Sequence, residues 1–534
     1  MKLPLNPWVR RLVLLLLLAA LPALAVAADE AADKDHPPKA ADKEHDKAKD
    51  GDDKAEAIPP ERSAVTQHSA DIGGHSIAYK ATAGTLLIRD DDDKPQASMF
   101  YVAYVADSGA DAARRASRPI TFLFNGGPGS SSVWLHMGSV APLRVDTASP
   151  AATPPAPYRL IANADSLLDK SDLVFVDAIG AGFSKPVGKA TGKDFWGVDQ
   201  DIKAFDKFIR RYLSVNQRWN SPKFVFGESY GTLRAAALAY SLQEHAVSLN
   251  GVVLLSSILN YGSRQPGLDN DYINTLPSFA AIAWYHDKIP QKPADMAAFV
   301  EQARGFARGE YAAALAQGQR LSKAEQDAVA AKLSGFTGLS VQYLEEAKLR
   351  VSPSRFRKEL LRDERATLGR YDARFEGIDV DAAGETPEYD PSDTGIAGAF
   401  VGSFQDYLSR ELKFSTDDTY KPTNGEINKQ WDWKHVMPGR ERPLPQVYVG
   451  ADLALAMRQN PHLKVLSANG YFDLATPFFA TEYDLDHMQL EPALRDNLRF
   501  TYYPSGHMVY LNPQALKQFK QDLAAFYDSA TASK

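Results

Sequence analysis

No cysteine occurs among the 534 residues, which excludes disulfides, a thiolate nucleophile, iron–sulfur clusters and cysteine zinc sites. A concentrated basic surface is also missing. With 60 Lys+Arg against 67 Asp+Glu, the formal charge of −7 offers little to neutralise phosphates, so nucleic acid is not an expected partner. Long apolar runs are confined to the N-terminus, where Lys2, Arg10 and Arg11 precede the stretch 12–26 and Ala25-Val26-Ala27 supplies small residues for cleavage. That stretch falls short of the roughly 20 residues needed to span a bilayer, so 1–27 reads as a signal peptide. The expected product is periplasmic or secreted, with no stable membrane span after removal. Large apolar side chains are scarce again over 28–63, which is almost entirely Ala, Asp, Glu, Lys, His and Pro. Such composition cannot offset its ordering entropy, and a disordered charged linker is expected.

What is present from about 64 onward is a chain able to build a large core, within an overall composition of 44% hydrophobic and 10% aromatic residues. Short β-patterned runs at 75–81, 84–89 and 98–106 are punctuated by Gly and Asp and predict an antiparallel meander. Brief apolar runs at 120–125, 172–177, 223–226, 251–255, 463–466 and 498–503 have the character of buried strands. Helical patterns lie between several of them. The clearest covers 195–213, where Ile202, Phe205, Ile209 and Tyr212 recur at helical spacing. Strands alternating with helices predict a mostly parallel sheet. The rhythm fails over 260–442, where charge-rich helical sequence such as 323–333 and 355–368 predicts an inserted helical cap. The catalytic domain is then 64–259 joined to 443–534.

Chemistry enters at Phe224-Val225-Phe226-Gly227-Glu228-Ser229-Tyr230-Gly231, followed by an Ala-rich helical run. A strand, a G-x-S-x-G turn and a helix make an elbow that lifts a serine hydroxyl above a sheet. Ser229 is the candidate nucleophile. A serine needs a histidine to take its proton and an acid to hold that histidine. His507, in Pro504-Ser505-Gly506-His507-Met508 directly after a predicted strand, is the best placed, whereas His487 has the surroundings of a solvated helix. Asp473, beyond a buried run and a Gly-containing turn, is the candidate acid, and Asp484 and Asp486 read as surface charges. The loop Asn125-Gly126-Gly127-Pro128-Gly129-Ser130-Ser131-Ser132 follows a strand and lacks the Lys-Ser/Thr ending of a phosphate loop. It suits an oxyanion hole, with the amides of Gly127 and Tyr230 as the donors. Nothing in these patterns calls for a metal or an organic cofactor.

These blocks, with Gly180-Ala181-Gly182-Phe183-Ser184 and Ser505-Gly506-His507-Met508-Val509, resemble the serine carboxypeptidases in an exported bacterial form. The resemblance covers roughly 64–530 and implies an α/β-hydrolase fold with a mostly parallel central sheet. It implies a peptide substrate with a free C-terminus, whose carboxylate is bound by Asn125 and Glu228. A carboxyl facing a carboxylate binds it only when protonated, so acidic pH should favour the reaction. The chain departs from the family pattern at Thr232, where a second Gly is usual, at Ser130, where Cys is frequent, and at Tyr510, where Pro is usual. A further acid common downstream of the first block is replaced near Ser139. The same triad on the same fold would serve an esterase or acyltransferase, and a noncatalytic binding protein would keep the scaffold alone.

Overall fold

Side chains on successive strand residues point to opposite faces of a sheet, so a strand covered on both sides is apolar throughout. Ile120–Phe124 and Asp172–Val176 are of this kind, with every residue buried. In the computed structural model, which describes residues 57–107 and 116–532, they lie near the middle of the main sheet. The strands of its continuous path are β1 (Ser63–Ile72), β2 (His75–Arg89), β3 (Pro95–Ala106), β4 (Ile120–Phe124), β5 (Asp172–Val176), β6 (Lys223–Ser229), β7 (Gly251–Ser257), β8 (Lys464–Gly470) and β9 (Leu498–Tyr503). Their spatial order is β1-β2-β3-β5-β4-β6-β7-β8-β9, and the short strand Lys185–Pro186 pairs with β3. From β5 to β9 every neighbouring pair is parallel, while β1, β2, β3 and β5 pair antiparallel. This is the α/β-hydrolase arrangement, with its antiparallel meander at one edge.

The two sheet faces feed different cores. Phe122, Phe124, Val174, Val225, Val252 and Leu254 join one cluster with the helices α1 (Val198–Val215) and α2 (Tyr230–Glu244). The intervening Leu123, Phe175, Phe224, Phe226, Val253 and Leu255 join the opposite cluster. The expected stripe on α1 is observed, since Ile202, Phe205, Ile209 and Tyr212 are all buried. At roughly 1.5–3 kcal/mol for each fully buried large apolar side chain, these two layers are the main favourable term that opposes chain entropy.

Three details differ from the sequence reading. The runs 75–81 and 84–89 form one strand, because Gly84 pairs in register with both Ser63 and Tyr101 and is not a turn. The stretch 355–368 is not one helix: Pro353–Glu359 is helical, Arg365 turns into the left-handed region, and Ala366–Leu368 is a strand paired with Glu376–Ile378. Asp484 is buried, because it accepts hydrogen bonds from the Leu259 backbone and the Asn260 side chain near Arg264; burial pushes its carboxyl up to about 7. Asp486 and His487 are exposed. The signal peptide and residues 28–56 of the expected linker lie outside the described residues. Glu61 accepts from the Leu87 amide at 2.7 Å and pairs with Arg211, so the body takes up the chain before Ser63.

Between β7 and β8 the chain leaves the sheet. Its first part, beginning with α3 (Asn270–Tyr285), builds a separate apolar cluster around Phe279, Val300, Leu333 and Phe356, into which Phe472, Phe478 and Phe479 also reach. Its later part returns to the main cores through α4 (Ala397–Arg410), Ile427 and Trp431. Where the insertion rejoins the body, buried His435 bridges Asp199 at 2.6 Å and Asp452 at 3.0 Å. Asp199 opens α1 and Asp452 opens α5 (Gly450–Gln459). Burial pulls the imidazole down, but the hydrogen bonds it donates to the two carboxylates outweigh it and raise its pKa to about 9. A raised histidine contributes stability that is full below its unfolded value near 6.5 and is lost as pH rises through the folded value. His435→Gln should therefore lower the thermal midpoint by a few degrees at pH 6, with the difference from wild type closing by pH 10 in parallel melts.

Candidate active site

The strand β6 ends in Ser229, whose backbone takes φ 61° and ψ −132°. A non-glycine residue there is strained, and such strain persists only where the surroundings over-determine it. Both elbow glycines explain how it is held. A Cβ on Gly227 would lie 1.9 Å from the Gly231 carbonyl oxygen, and one on Gly231 would lie 2.7 Å from that of Phe124. The turn closes only without those side chains. Ser229 is half-buried at the start of α2, between the buried Glu228 and Tyr230. The Thr232 hydroxyl donates to the Ser229 carbonyl at 2.6 Å, so the threonine at this departure from the family pattern closes the first helical turn.

The neighbouring strand links this elbow to the histidine. Ser229 pairs with Ser257 across a register shift that leaves Ser256 out of the ladder at φ 51°. The Ser256 hydroxyl donates to the carbonyl of His507 at 2.6 Å. On the imidazole side, His507 Nδ1 lies 2.7 Å from Asp473 Oδ2, and both residues are buried. Asp473 accepts further bonds on Oδ1 from the amides of Ala475 at 2.7 Å and Thr476 at 2.9 Å. Held on both oxygens, Asp473 accepts the hydrogen bond of Nδ1–H, which leaves Nε2 as the free acceptor. Burial lowers the His507 pKa, but the charge and hydrogen bond of Asp473, helped by Glu228, raise it overall.

Two residues that sequence reasoning missed complete this corner. The Thr476 hydroxyl sits 2.7 Å from Asp473 Oδ2, 3.0 Å from His507 Nδ1 and 2.9 Å from the Ser256 carbonyl. With one proton to donate, it serves the carboxylate or the carbonyl and can only accept from Nδ1–H. Tyr371, from the insertion, accepts the His507 amide at 2.6 Å and lays its ring 5.2 Å from the imidazole. Its neighbours close the same loops, with the Leu474 amide donating to the Arg370 carbonyl and the Ala373 amide to that of Phe472. Sequence spacing carries no signal for a contact from residue 371 to residue 507. His435, as described above, belongs to a structural tie elsewhere.

The glycine loop lies directly against the elbow. A Cβ on Gly126 would come within 2.4 Å of the Tyr230 amide nitrogen and 2.5 Å of that of Gly231, and Gly127 follows at φ 103°. Arg234 on α2 fixes this approach. Its fully buried guanidinium donates to the Asn125 carbonyl at 2.7 Å and to both oxygens of Asp201 on α1, at 2.7 and 3.2 Å, beneath the rings of Phe124, Phe205 and Tyr230. Asp177, just after β5, braces the far end of the loop by accepting the Ser132 amide at 2.7 Å.

Glu228 and Asn125 are brought together. The Asn125 side chain hydrogen-bonds the Glu228 carboxyl, and its Oδ1 accepts the Leu135 amide at 2.8 Å. Tyr510 donates to Glu228 Oε2 at 2.9 Å. Burial pushes Glu228 up to about 7; Asp473 adds to the rise, while His507, Tyr510 and Asn125 oppose it. The seven residues proposed from sequence therefore occupy one locality, five of them buried, with Ser229 half-buried and Gly127 exposed: a strained serine, an imidazole–carboxylate pair, a glycine loop on two amides, and a carboxyl pushed up to about 7.

A family model described as serine carboxypeptidase matches residues 75–502. The chain belongs to the serine carboxypeptidase family. Among curated family relatives, serine carboxypeptidase-like 45 of Arabidopsis thaliana is 25% identical over 215 residues, 38% of this chain and 42% of that protein. The pheromone-processing carboxypeptidase KEX1 of Saccharomyces cerevisiae is 28% identical over 171 residues, 30% of this chain and 22% of that protein. Both matches thus span less than half of the relative's length. The crystal structure of a yeast KEX1 form, titled a prohormone-processing carboxypeptidase, superposes with a TM-score of 0.52 at 15% identity, covering 84% of this chain and 91% of that one. At that identity the likeness concerns the fold.

The contact of Gly126 with the Tyr230 amide gives a direct test. Gly126→Ala should push the loop off the elbow and lower hydrolysis of an activated ester by about two orders of magnitude, the scale of losing one oxyanion donor. Steady-state kinetics beside a thermal melt would check that the protein remains folded.

Proposed function

We propose that this protein is a serine-type carboxypeptidase that removes C-terminal residues from peptides through an acyl-enzyme. The observation that carries the reading is a buried carboxyl, Glu228, one residue before the strained Ser229 and within electrostatic reach of both His507 and Asp473. An enzyme acting on interior bonds or simple esters has no use for such a group beside its nucleophile. One that must bind a terminal carboxylate does, because a neutral acid donates a hydrogen bond where an ionised one repels.

In this reading Ser229 Oγ attacks the carbonyl of the last peptide bond while His507 Nε2 takes its proton. The amides of Gly127 and Tyr230 hold the oxyanion. His507 then returns the proton to the leaving amino group, and Asp473 steadies the imidazolium without itself taking the proton. Water, activated by the same imidazole, releases the shortened peptide. Glu228 and Asn125 bind the terminal carboxylate, which fixes the scissile bond one residue from the end. The N-terminal pattern over 1–27 supports export, to the periplasm or beyond the cell. Among the described residues no helix is long and apolar enough to cross a membrane.

Protonation couples the two halves of the site. An ionised Glu228 raises the His507 pKa, so neutralising it both readies the carboxylate site and makes the imidazole easier to keep as a free base. Carboxylate binding needs the neutral acid, present below about pH 7 and lost above it. The kcat/KM for a blocked dipeptide acid should accordingly decline on the alkaline side, and Glu228→Gln, which cannot ionise, should abolish that decline. Ser229→Ala should reduce turnover by roughly four orders of magnitude or more, with loss of fluorophosphonate labelling. Wild-type turnover in Ser229→Ala would refute the acyl-enzyme. Equal hydrolysis of a peptide acid and its C-terminal amide would point instead to an esterase or acyltransferase, and absence of any adduct on Ser229 to a binding protein.

A further inference from the structure

Tyr510 stands where the chain departs from the family pattern, two residues after the block Ser505-Gly506-His507-Met508 has already delivered His507. Its side chain is almost wholly enclosed, at 2% exposure. The ring rests on Gly138, where a Cβ would meet Tyr510 ring carbons at 2.5 and 2.7 Å. The fit therefore needs a bare backbone at 138 as well as an aromatic at 510. Ser139, the neighbouring position of departure, turns its hydroxyl back onto the Leu135 carbonyl.

The phenol has one proton to donate and oxygen lone pairs to accept with. The proton goes to Glu228 Oε2 at 2.9 Å, and the phenol also hydrogen-bonds the Asn125 side chain. Because Asn125 Oδ1 is taken by the Leu135 amide, it is the NH₂ end of Asn125 that faces the phenol. Asn125, Tyr510 and Glu228 thus form a directed chain, each link donating to the next. The consequence falls on the last member. With Oε2 already accepting a hydrogen bond, a proton on neutral Glu228 is favoured on Oε1.

We infer that Tyr510 is a positioning residue for recognition of the substrate's terminal carboxylate: its phenol holds Oε2 of Glu228, so that the acid presents its proton from Oε1 to the incoming carboxylate. The inference rests on the carboxypeptidase reading above and assigns a determinant within it. Around the carboxyl, the other groups that bear on its charge are His507 and Asp473, from the two loops that also carry the proton relay, with Asn125 from the glycine loop. Of these, Tyr510 is the one whose hydroxyl can be removed while its ring stays in place and the relay stays whole.

The test compares wild type with Tyr510→Phe on a blocked dipeptide acid and on its C-terminal amide, each across pH. Phenylalanine keeps the ring against Gly138 and deletes only the phenol oxygen. The expected result is a KM for the acid raised about tenfold, the scale of the oriented hydrogen bond that neutral Glu228 would give the substrate's charged carboxylate, with kcat changed much less. The amide should be hydrolysed as by wild type, and fluorophosphonate labelling of Ser229 should keep its rate. The alkaline limb for the acid should move to higher pH, because an ionised Glu228 loses a donor. Unchanged KM and unchanged limb in Tyr510→Phe would overturn the assignment, as would equal losses on acid and amide, which mark a merely structural role. A wild-type enzyme indifferent between acid and amide would instead remove the carboxylate reading itself, so the two failures are distinguishable.

Discussion

A single guanidinium beneath the elbow joins the parts that have to meet. Arg234 is fully enclosed, and a cation out of water is costly unless its partners are nearly ideal. It has Asp201 on both oxygens and the Asn125 carbonyl as a further acceptor. Burial raises the Asp201 pKa, while the guanidinium holds it down, so each ion is tolerable only because of the other. The arrangement spans α1, α2 and the end of β4. It therefore sets where the glycine loop lies relative to Tyr230, and where the Asn125 side chain lies relative to Glu228. A hydrophobic replacement for the pair could pack as well, but it would leave the Asn125 carbonyl without the donor that orients it.

Burial does opposite work on the groups around this hub. His507 is raised because Asp473 outweighs its desolvation, whereas Glu228 and Asp177 rise because too little positive charge offsets theirs. The carboxyls of Glu228, at the end of β6, and Asp473, in the loop after β8, are thus held differently. Asp473 accepts from two amides, the Thr476 hydroxyl and the imidazole. Glu228, held by neutral donors, is equipped to give up or keep a proton near neutrality. Closeness between them matters as much as the individual environments, since charge on Glu228 is felt at His507.

The insertion is more than a lid over a finished site. Residues 370–373 pair backbone to backbone with the loops that carry Asp473 and His507, and Tyr371 lays an aromatic ring beside the imidazole. Its later half returns Trp431 and Trp433 to the ring of Tyr230. Elements inserted between β7 and β8 thereby pack against both the His507–Asp473 pair and Tyr230 of the elbow. His435, gripped by Asp199 and Asp452, fastens the point of return.

Local physics determined much of this from sequence alone. A strand that is covered on both faces must be apolar throughout, a strained serine must be flanked by glycine, and a helix on a sheet must carry a stripe, so β4 to β8, Ser229 and α1 were legible, whereas β9, read as buried, is a partly exposed edge strand. So were the candidates Asp473 and His507, because each sits in a loop that leaves a strand of the sheet, and Asn125, Gly127, Tyr230 and Glu228, because their motifs are contiguous. What tertiary structure decided was everything set by proximity between distant segments. Asp484 has the local pattern of a surface charge, yet it is buried because Leu259 and Asn260 come to it from the end of another strand. Arg234 reads as one cation in an alanine-rich helix, Thr476 as a polar loop residue, and Tyr510 as a departure from a pattern. Their roles come from partners dozens to hundreds of positions away, since hydrogen bonds and desolvation depend on distance in space and one-dimensional order does not encode that distance.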